Sequence, residues 1–109
     1  MILIVGGYSQ GKYEFAKKKF GEKRIALKNI NSYANKLFLE NKDIEDAADM
    51  IIKKCYGDII ITDEIGNGII PLEKDQRDFR DWMGRVQVLI ADRADEVIRV
   101  ISGLGQKIK

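Results

Sequence analysis

Short runs of consecutive apolar residues predict the strands of this chain. Residues 2–5 (ILIV) form one run, which two glycines end, and residues 59–62 (IIIT) form another. Unbroken apolar runs of this length are typical of strands buried on both faces. Residues 95–103 (DEVIRVISG) predict the last long strand, residues 24–30 (RIALKNI) a weaker one, and residues 105–109 (GQKIK) a short terminal strand.

Apolar residues spaced three and four apart predict helices between these strands. The clearest helix covers residues 44–55, and shorter ones cover residues 11–20 and 32–41. The same period returns over residues 74–93, after a glycine-rich loop at residues 66–71. Strands that alternate with helices indicate an α/β fold with a mostly parallel sheet.

Composition fits one small globular domain over residues 1–109, with 45% hydrophobic and 33% charged residues. The net charge of +2 is too small to indicate a nucleic acid or a membrane surface as partner. No apolar run approaches the roughly 18 residues of a membrane span, and the MILIV start lacks the features of a signal peptide. We therefore expect no nucleic-acid or membrane partner.

Cysteine and histidine counts restrict the chemistry. Cys55 is the only cysteine, so an intrachain disulfide is impossible and a reducing, cytoplasmic location is expected. The 109 residues contain no histidine. A structural zinc site and a histidine nucleophile or base are therefore not expected.

A possible phosphate-binding loop follows the first strand. Gly6 and Gly11-Lys12 have the Walker A spacing, which predicts that loop amides and Lys12 bind phosphate. Tyr13 stands where such a loop has a small hydroxyl that holds Mg²⁺, and its ring keeps the phenol oxygen too far away. The alternative is a glycine-rich turn with a surface lysine. The predicted phosphate-binding residues are Gly6, Gly7, Tyr8, Ser9, Gln10, Gly11, Lys12 and Tyr13.

Polar residues follow the strand at residues 59–62. In open α/β sheets, ligands bind beyond the carboxyl ends of the strands. Asp63 and Glu64 are thus candidates for holding Mg²⁺ or for orienting a nucleophile, and with Lys12 they are the candidate catalytic residues. The alternative is that both carboxylates only solvate the strand end or cap a turn.

Two arginines on the helix at residues 74–93 are candidates for neutralising phosphate charge. Arg80 and Arg85 lie a little over one turn apart on the polar side of this helix. The alternative is that each pairs with a neighbouring aspartate or is solvated. Trp82 has helical spacing with apolar neighbours, which favours a place in the core or in a subunit interface over stacking on a base.

Four later segments of the chain read TDEIGNGIIP, FRDWMGRVQ, ADEV and ISGLGQKIK, in this order. They resemble the runs TNEVGxGIVP, FRDxxGRVN, ADEV and VSGIGxKIK of the bifunctional adenosylcobinamide kinase/adenosylcobinamide-phosphate guanylyltransferases. With the first loop, the resemblance covers about the first 20 residues and everything from Gly57 onward. It implies a P-loop NTPase-like, three-layer α/β fold, with ATP or GTP as ligand, a corrinoid small molecule as substrate, and assembly into a homo-oligomer, a trimer in the family.

The departures from the family concern its catalytic parts. The shortened middle is where the family carries the histidine that accepts guanylate and a strand that ends in an acidic residue near the metal. Besides Tyr13, Leu72 replaces the family's glutamate and Gln87 replaces its asparagine. The resemblance thus implies a nucleotide-binding protein with at most residual kinase-type activity, with guanylyl transfer lost and Mg²⁺ binding weakened. A non-catalytic scaffold or assembly protein derived from the family is the alternative.

Overall fold

The computed structural model describes residues 1–64 and 73–109. Four strands and four α-helices lie within these residues, and a short 3-10 helix, Glu22–Arg24, follows the first α-helix. The strands are β1 (Ile2–Gly6), β2 (Ile59–Asp63), β3 (Glu96–Ile101) and β4 (Leu104–Lys107). The helices are α1 (Lys12–Phe20), α2 (Asn31–Leu39), α3 (Ile44–Lys54) and α4 (Lys74–Arg93).

The strands form one mostly parallel sheet in the order β2-β1-β3-β4. Strand β1 pairs in parallel with β2 and with β3, and its Ile2 lies opposite both Ile59 and Glu96. Strand β4 pairs antiparallel with β3. Because the first three strands run in the same direction, the ends of β1 and β2 meet at one edge, where Gly6 lies opposite Asp63.

Helices cover both faces of the sheet because neighbouring strand residues point in opposite directions. Leu3, Ile60 and Val97 belong to the cluster on the face that α2, α3 and α4 cover. Ile4, Ile61 and their neighbours on β3 pack with Ala16 of α1 on the other face. The predicted three-layer α/β fold with a small, mostly parallel sheet is thus confirmed.

Local sequence explains where the clearest helix begins. The side chain of Asp43 accepts a hydrogen bond of 2.8 Å from the backbone N–H of Asp46, which caps α3. Acidic residues in its first turn and lysines in its last complement the helix dipole. Its apolar stripe includes Ala47, Ala48 and Ile51, which are fully buried.

An aromatic cluster holds α4 against α2. The rings of Phe38 and Trp82, and those of Phe38 and Phe79, have centroids 5.4 Å apart. The indole N–H of Trp82 donates a hydrogen bond of 3.0 Å to the carbonyl of Lys42. The expectation that Trp82 packs with the core is therefore confirmed.

The weak strand predicted over residues 24–30 is wrong. Arg24 ends a 3-10 helix, and residues 25–30 are irregular. They contact β2 through a backbone hydrogen bond of 2.9 Å from Ile30 N–H to the Ile61 carbonyl. The side chain of Asn29 accepts from the backbone N–H of Asn31 at 2.9 Å, a local bond that competes with strand pairing. The other predicted helices and strands are confirmed, and their ends differ from the predicted ones by no more than two residues.

The glycine-rich loop predicted at residues 66–71 lies outside the described residues. Across residues 1–64 and 73–109, the helices are too short or too polar to cross a lipid bilayer.

The first glycine of the loop is required by close packing, which a pair of substitutions tests. A Cβ at Gly6 would lie 2.6 Å from the backbone carbonyl oxygen of Val100, whereas one at Gly7 would meet nothing nearer than 3.5 Å. We expect Gly6→Ala to lower the free energy of unfolding by about 1–3 kcal/mol, because β1 and β3 must separate. Gly7→Ala is the control, and chemical denaturation measures both. Equal stability of the two variants would contradict this packing constraint.

Candidate functional site

The loop between β1 and α1 curls through left-handed backbone conformations. Gly11 has φ of 82° and Ser9 has φ of 59°. This conformation is easy for glycine and uncommon for other residues, which explains the glycine before Lys12. Such turns direct successive backbone N–H groups inward, and the N-terminus of α1 adds its partial positive charge. Left-handed residues before a helix N-terminus are features that this loop shares with anion-binding loops.

Gln10 fixes the loop to the turn between β3 and β4. Its backbone carbonyl accepts a 2.8 Å hydrogen bond from Gly103 N–H, and its side-chain oxygen accepts a 2.7 Å bond from Ser102 N–H. The segment ISGLGQKIK at the chain's end therefore supports the first loop directly. Sequence analysis placed Gln10 in the loop but did not predict this contact, since it joins positions more than 90 residues apart.

Lys12 joins the loop to the end of β2. Its ammonium donates to the Gly7 carbonyl at 2.8 Å and lies 2.8 Å from Oδ1 of Asp63. The side chain of Lys12 is only 6% exposed and that of Asp63 is 22% exposed. Two candidate catalytic residues from distant parts of the sequence are thus in direct contact, which excludes the alternative of a surface lysine.

Two asparagines complete the surroundings of Asp63. Asn29 Nδ2 donates to Asp63 Oδ1 at 2.9 Å, and Asn31 Nδ2 donates to Oδ2 at 2.5 Å. Each carboxylate oxygen therefore accepts from at least one amide. The other amide atom of Asn31, Oδ1, is buried without a hydrogen-bond partner among the described residues. Sequence analysis missed both asparagines, and their spacing of two residues in KNINS was the available signal.

Gln87 connects α4 to the same strand end. Its Nε2 donates to Thr62 Oγ1 and to the Asp63 carbonyl, both at 2.8 Å. The residue noted as a departure from the family pattern thus contacts the backbone of the central carboxylate residue. These two hydrogen bonds hold α4 against the end of β2.

Glu64 has a different environment from Asp63. Its Oε2 accepts from Arg99 Nε at 3.2 Å, and its backbone N–H donates to the Gly6 carbonyl at 2.8 Å. Over residues 1–64 and 73–109, no group of three or more His, Cys, Asp or Glu side chains is arranged to hold a metal ion. The two carboxylates proposed as Mg²⁺ ligands are each held by positively charged or amide donors.

Tyr13 follows Lys12 at the start of α1, and its side chain contacts Glu22 and Lys28. The phenol O–H of Tyr13 donates to Glu22 Oε1 at 3.3 Å, and the Lys28 ammonium lies 5.0 Å from the centre of the Tyr13 ring. This distance is within the range of a cation–π contact. Lys28 was not predicted as a site residue.

Three other predicted site residues are Tyr8, which lies in the loop, and Arg80 and Arg85, which lie on α4. Tyr8 is 85% exposed in the loop. Arg85 pairs with Asp81 at 3.5 Å, as the alternative interpretation had it, with both side chains exposed. Arg80 lines a depression of about 370 Å³ between α2 and the start of α4. The identified surroundings of both arginines therefore lie on α2 and α4, while Lys12 and Asp63 connect the loop with β2.

Comparison with known proteins shows the family. The sequence pattern of the cobinamide kinase / cobinamide phosphate guanyltransferase family matches residues 27–108. This chain belongs to that family. The resemblance deduced from the later segments is thereby confirmed.

Two curated relatives of the family align with part of the chain. Over 70 residues it is 41% identical to the bifunctional adenosylcobalamin biosynthesis protein CobU of Salmonella typhimurium, covering 61% of this chain and 39% of that protein. Over 51 residues it is 47% identical to the protein of the same description from Escherichia coli, covering 47% of this chain and 28% of that protein. The chain thus spans well under half of the length of these relatives.

The family match includes one half of the site. Asn29, Asn31, Asp63 and Gln87 lie within residues 27–108, but the loop that ends in Lys12 lies before them. Membership in the cobinamide kinase family therefore rests on a match that includes these four residues and does not include the loop. The phosphate-binding role of the loop stays a prediction from its own spacing and geometry.

The surroundings of Asp63 and Glu64 predict that neutralising each carboxylate lowers the free energy of unfolding by clearly different amounts. We expect Asp63→Asn to lower the free energy of unfolding by about 2–3 kcal/mol, because Lys12 loses its partner and an amide faces the donors of Asn29 and Asn31. Glu64→Gln removes a more exposed pair, with Arg99 36% and Glu64 26% exposed, and should cost less than about 1 kcal/mol. Urea denaturation measures both, and a smaller effect at Asp63 than at Glu64 would be inconsistent with this arrangement.

Proposed function

We propose that this chain binds ATP or GTP with its phosphates in the loop at residues 6–13 and retains at most kinase-type phosphoryl transfer to a corrinoid alcohol. The observation that carries the proposal is the buried Lys12 ammonium, 2.8 Å from the Gly7 carbonyl and from Asp63. Family membership supports the acceptor class, since the family is described as a cobinamide kinase. A cytoplasmic homo-oligomer of one-domain chains is part of the same proposal.

The proposed site acts by position and charge. Loop amides and the N-terminus of α1 bind phosphate oxygens. Lys12 turns from Asp63 toward the outer phosphates, and Asp63 then has one donor fewer. Its carboxylate is left beside the loop, where it orients the attacking hydroxyl and takes up its proton. The hydroxyl oxygen bonds to the γ-phosphorus while the bond from that phosphorus to the bridging oxygen breaks, and the nucleoside diphosphate leaves. Phosphoryl transfer depends chiefly on such positioning and charge stabilisation.

A second candidate is a binding protein without turnover. It is favoured by the donors that surround both carboxylates, because Asp63 accepts from Lys12, Asn29 and Asn31 while Glu64 pairs with Arg99. Carboxylates held in this way are less available to a substrate hydroxyl. Measuring nucleotide turnover with and without cobinamide separates the two candidates.

Guanylyl transfer is not part of the proposal, because the chain lacks the family's histidine nucleophile and its one thiol is buried. There is no histidine. The Cys55 thiol is fully buried at the end of α3, and burial raises the pKa of Cys55 to about 11. A buried thiol that stays protonated at neutral pH is a poor nucleophile.

Binding of nucleotide should depend on Lys12. We expect Lys12→Ala to weaken ATP or GTP binding by about 1.5–3 kcal/mol, the loss of a charge-assisted contact. Lys17→Ala, which changes an exposed lysine of the same helix, should bind as the parent does. Isothermal titration calorimetry measures the affinities, and melting temperatures check that each variant is folded. The phosphate-loop interpretation is rejected if Lys12→Ala and the parent bind with equal affinity.

Incubation with radiolabelled GTP tests the loss of guanylyl transfer. We expect no label on the protein after denaturation and gel separation, because neither a histidine nor a reactive thiol is present. A labelled adduct that survives denaturation would show that another side chain serves as the nucleophile.

A further inference from the structure

We propose that the loop binds nucleoside triphosphate without a divalent cation, and that Lys28 supplies part of the positive charge that the cation would contribute. The inference rests on the proposed nucleotide binding and specifies the form of the ligand, the metal-free triphosphate. It starts from the side chains around Lys12, which do not fit the Mg²⁺ ion that the P-loop resemblance implies.

The first misfit is at the position after Lys12. A Mg²⁺ ion takes about six oxygen ligands at about 2.0–2.1 Å in near-octahedral geometry. The phenol oxygen of Tyr13 is at the far end of its ring and is hydrogen-bonded to Glu22 of the 3-10 helix, at 3.3 Å. Position 13 therefore lacks the short hydroxyl that a Walker A loop offers to the ion.

The second misfit is at the end of β2. Oδ1 of Asp63 faces the Lys12 ammonium at 2.8 Å and the Asn29 amide at 2.9 Å, and Oδ2 faces the Asn31 amide at 2.5 Å. Without ligand, the carboxylate thus balances Lys12. When Lys12 turns to a phosphate, the amides of Asn29 and Asn31 still occupy one lone pair on each carboxylate oxygen, and the nearby ammonium repels a cation.

Lys28 places a second positive charge next to the side chain of Tyr13. Its ammonium lies 5.0 Å from the centre of the Tyr13 ring. Its neighbour in sequence, Asn29, is hydrogen-bonded to Asp63. Tyr13 directly follows Lys12, so the Tyr13 ring connects Lys28 of the irregular segment at residues 25–30 to the start of α1. Lys28 is exposed, and in this proposal its side chain turns to the bound phosphates.

The charge of the ligand decides which form of the triphosphate this site favours. A triphosphate without Mg²⁺ carries two more negative charges than its Mg²⁺ complex, so a site that relies on lysines gains from the metal-free form. The Tyr13 ring holds the Lys28 ammonium near the loop through a cation–π contact. The ring, rather than the phenol oxygen, is therefore the useful part of Tyr13.

Calorimetric titration of the full chain with ATP and GTP, in Mg²⁺ or in EDTA, tests the proposal. We expect affinity in EDTA to equal or exceed that in Mg²⁺. In EDTA, Lys28→Ala should weaken binding about tenfold, as expected for the loss of a charged contact. Lys36→Ala changes an exposed lysine of α2 and should have no effect. Melting temperatures without ligand confirm that the variants are folded.

Two variants of Tyr13 separate its ring from its hydroxyl. Tyr13→Phe keeps the ring and should weaken binding in EDTA less than Tyr13→Ser does. Tyr13→Ser restores a short hydroxyl and removes the ring, and should make binding more dependent on Mg²⁺.

The results distinguish failure of this inference from failure of the proposed function. Binding at least about tenfold tighter in Mg²⁺ than in EDTA, or equal effects of Lys28→Ala and Lys36→Ala, would overturn the inference and leave nucleotide binding standing. Absence of binding in both buffers would reject nucleotide binding, and the inference with it.

Discussion

The contact between Lys12 and Asp63 is the interaction on which the arrangement of this site depends. It joins the start of α1 to the end of β2, two elements that are separated by about half the chain. Ion pairs that are largely removed from water add little net stability, because desolvation offsets most of the attraction between the charges. Separating them is costly, however, because one charge is left without a partner. The pair therefore selects one relative position of loop and strand over others.

The supporting contacts follow from this ion pair. A carboxylate has more acceptor positions than one ammonium can use, and Asn29 and Asn31 supply further donors. Gln87 holds the backbone of Asp63 from α4, and Gln10 holds the loop from the β3–β4 turn. Each of these polar side chains joins segments that are distant in sequence. Together they keep the loop in position.

The same contacts link the family relationship to the chemistry of the site. The family match covers the half that contains the asparagines, Asp63 and Gln87, whereas the glycine-rich loop and Lys12 precede it. In this site the charge of Lys12 is balanced by Asp63. If Lys12 turns to a bound anion, Asp63 loses its cationic partner and keeps the hydrogen bonds from Asn29 and Asn31.

Sequence by itself determined the α/β class, the parallel β1 and β2, the extent of α4 and the position of the glycine-rich turn. These features depend on local patterns: unbroken apolar runs, the helical period, and glycine where φ is positive. It also predicted that Lys12 and Asp63 belong to one site, because the ends of parallel strands meet at one edge. Local pattern failed at residues 24–30, where the Asn29 side chain bonds to the backbone of Asn31 and strand pairing is lost.

Only the tertiary structure decided which donors surround each carboxylate. Asp63 and Glu64 are equivalent in the sequence, yet one faces Lys12 and two amides while the other faces Arg99. It also brought Lys28 to the ring of Tyr13 and Gln10 to the last strand turn. The physical reason is that hydrogen bonds and ion pairs act over about 3 Å. Which side chains come that close depends on how the strands, helices and loops pack, and not on their spacing along the chain.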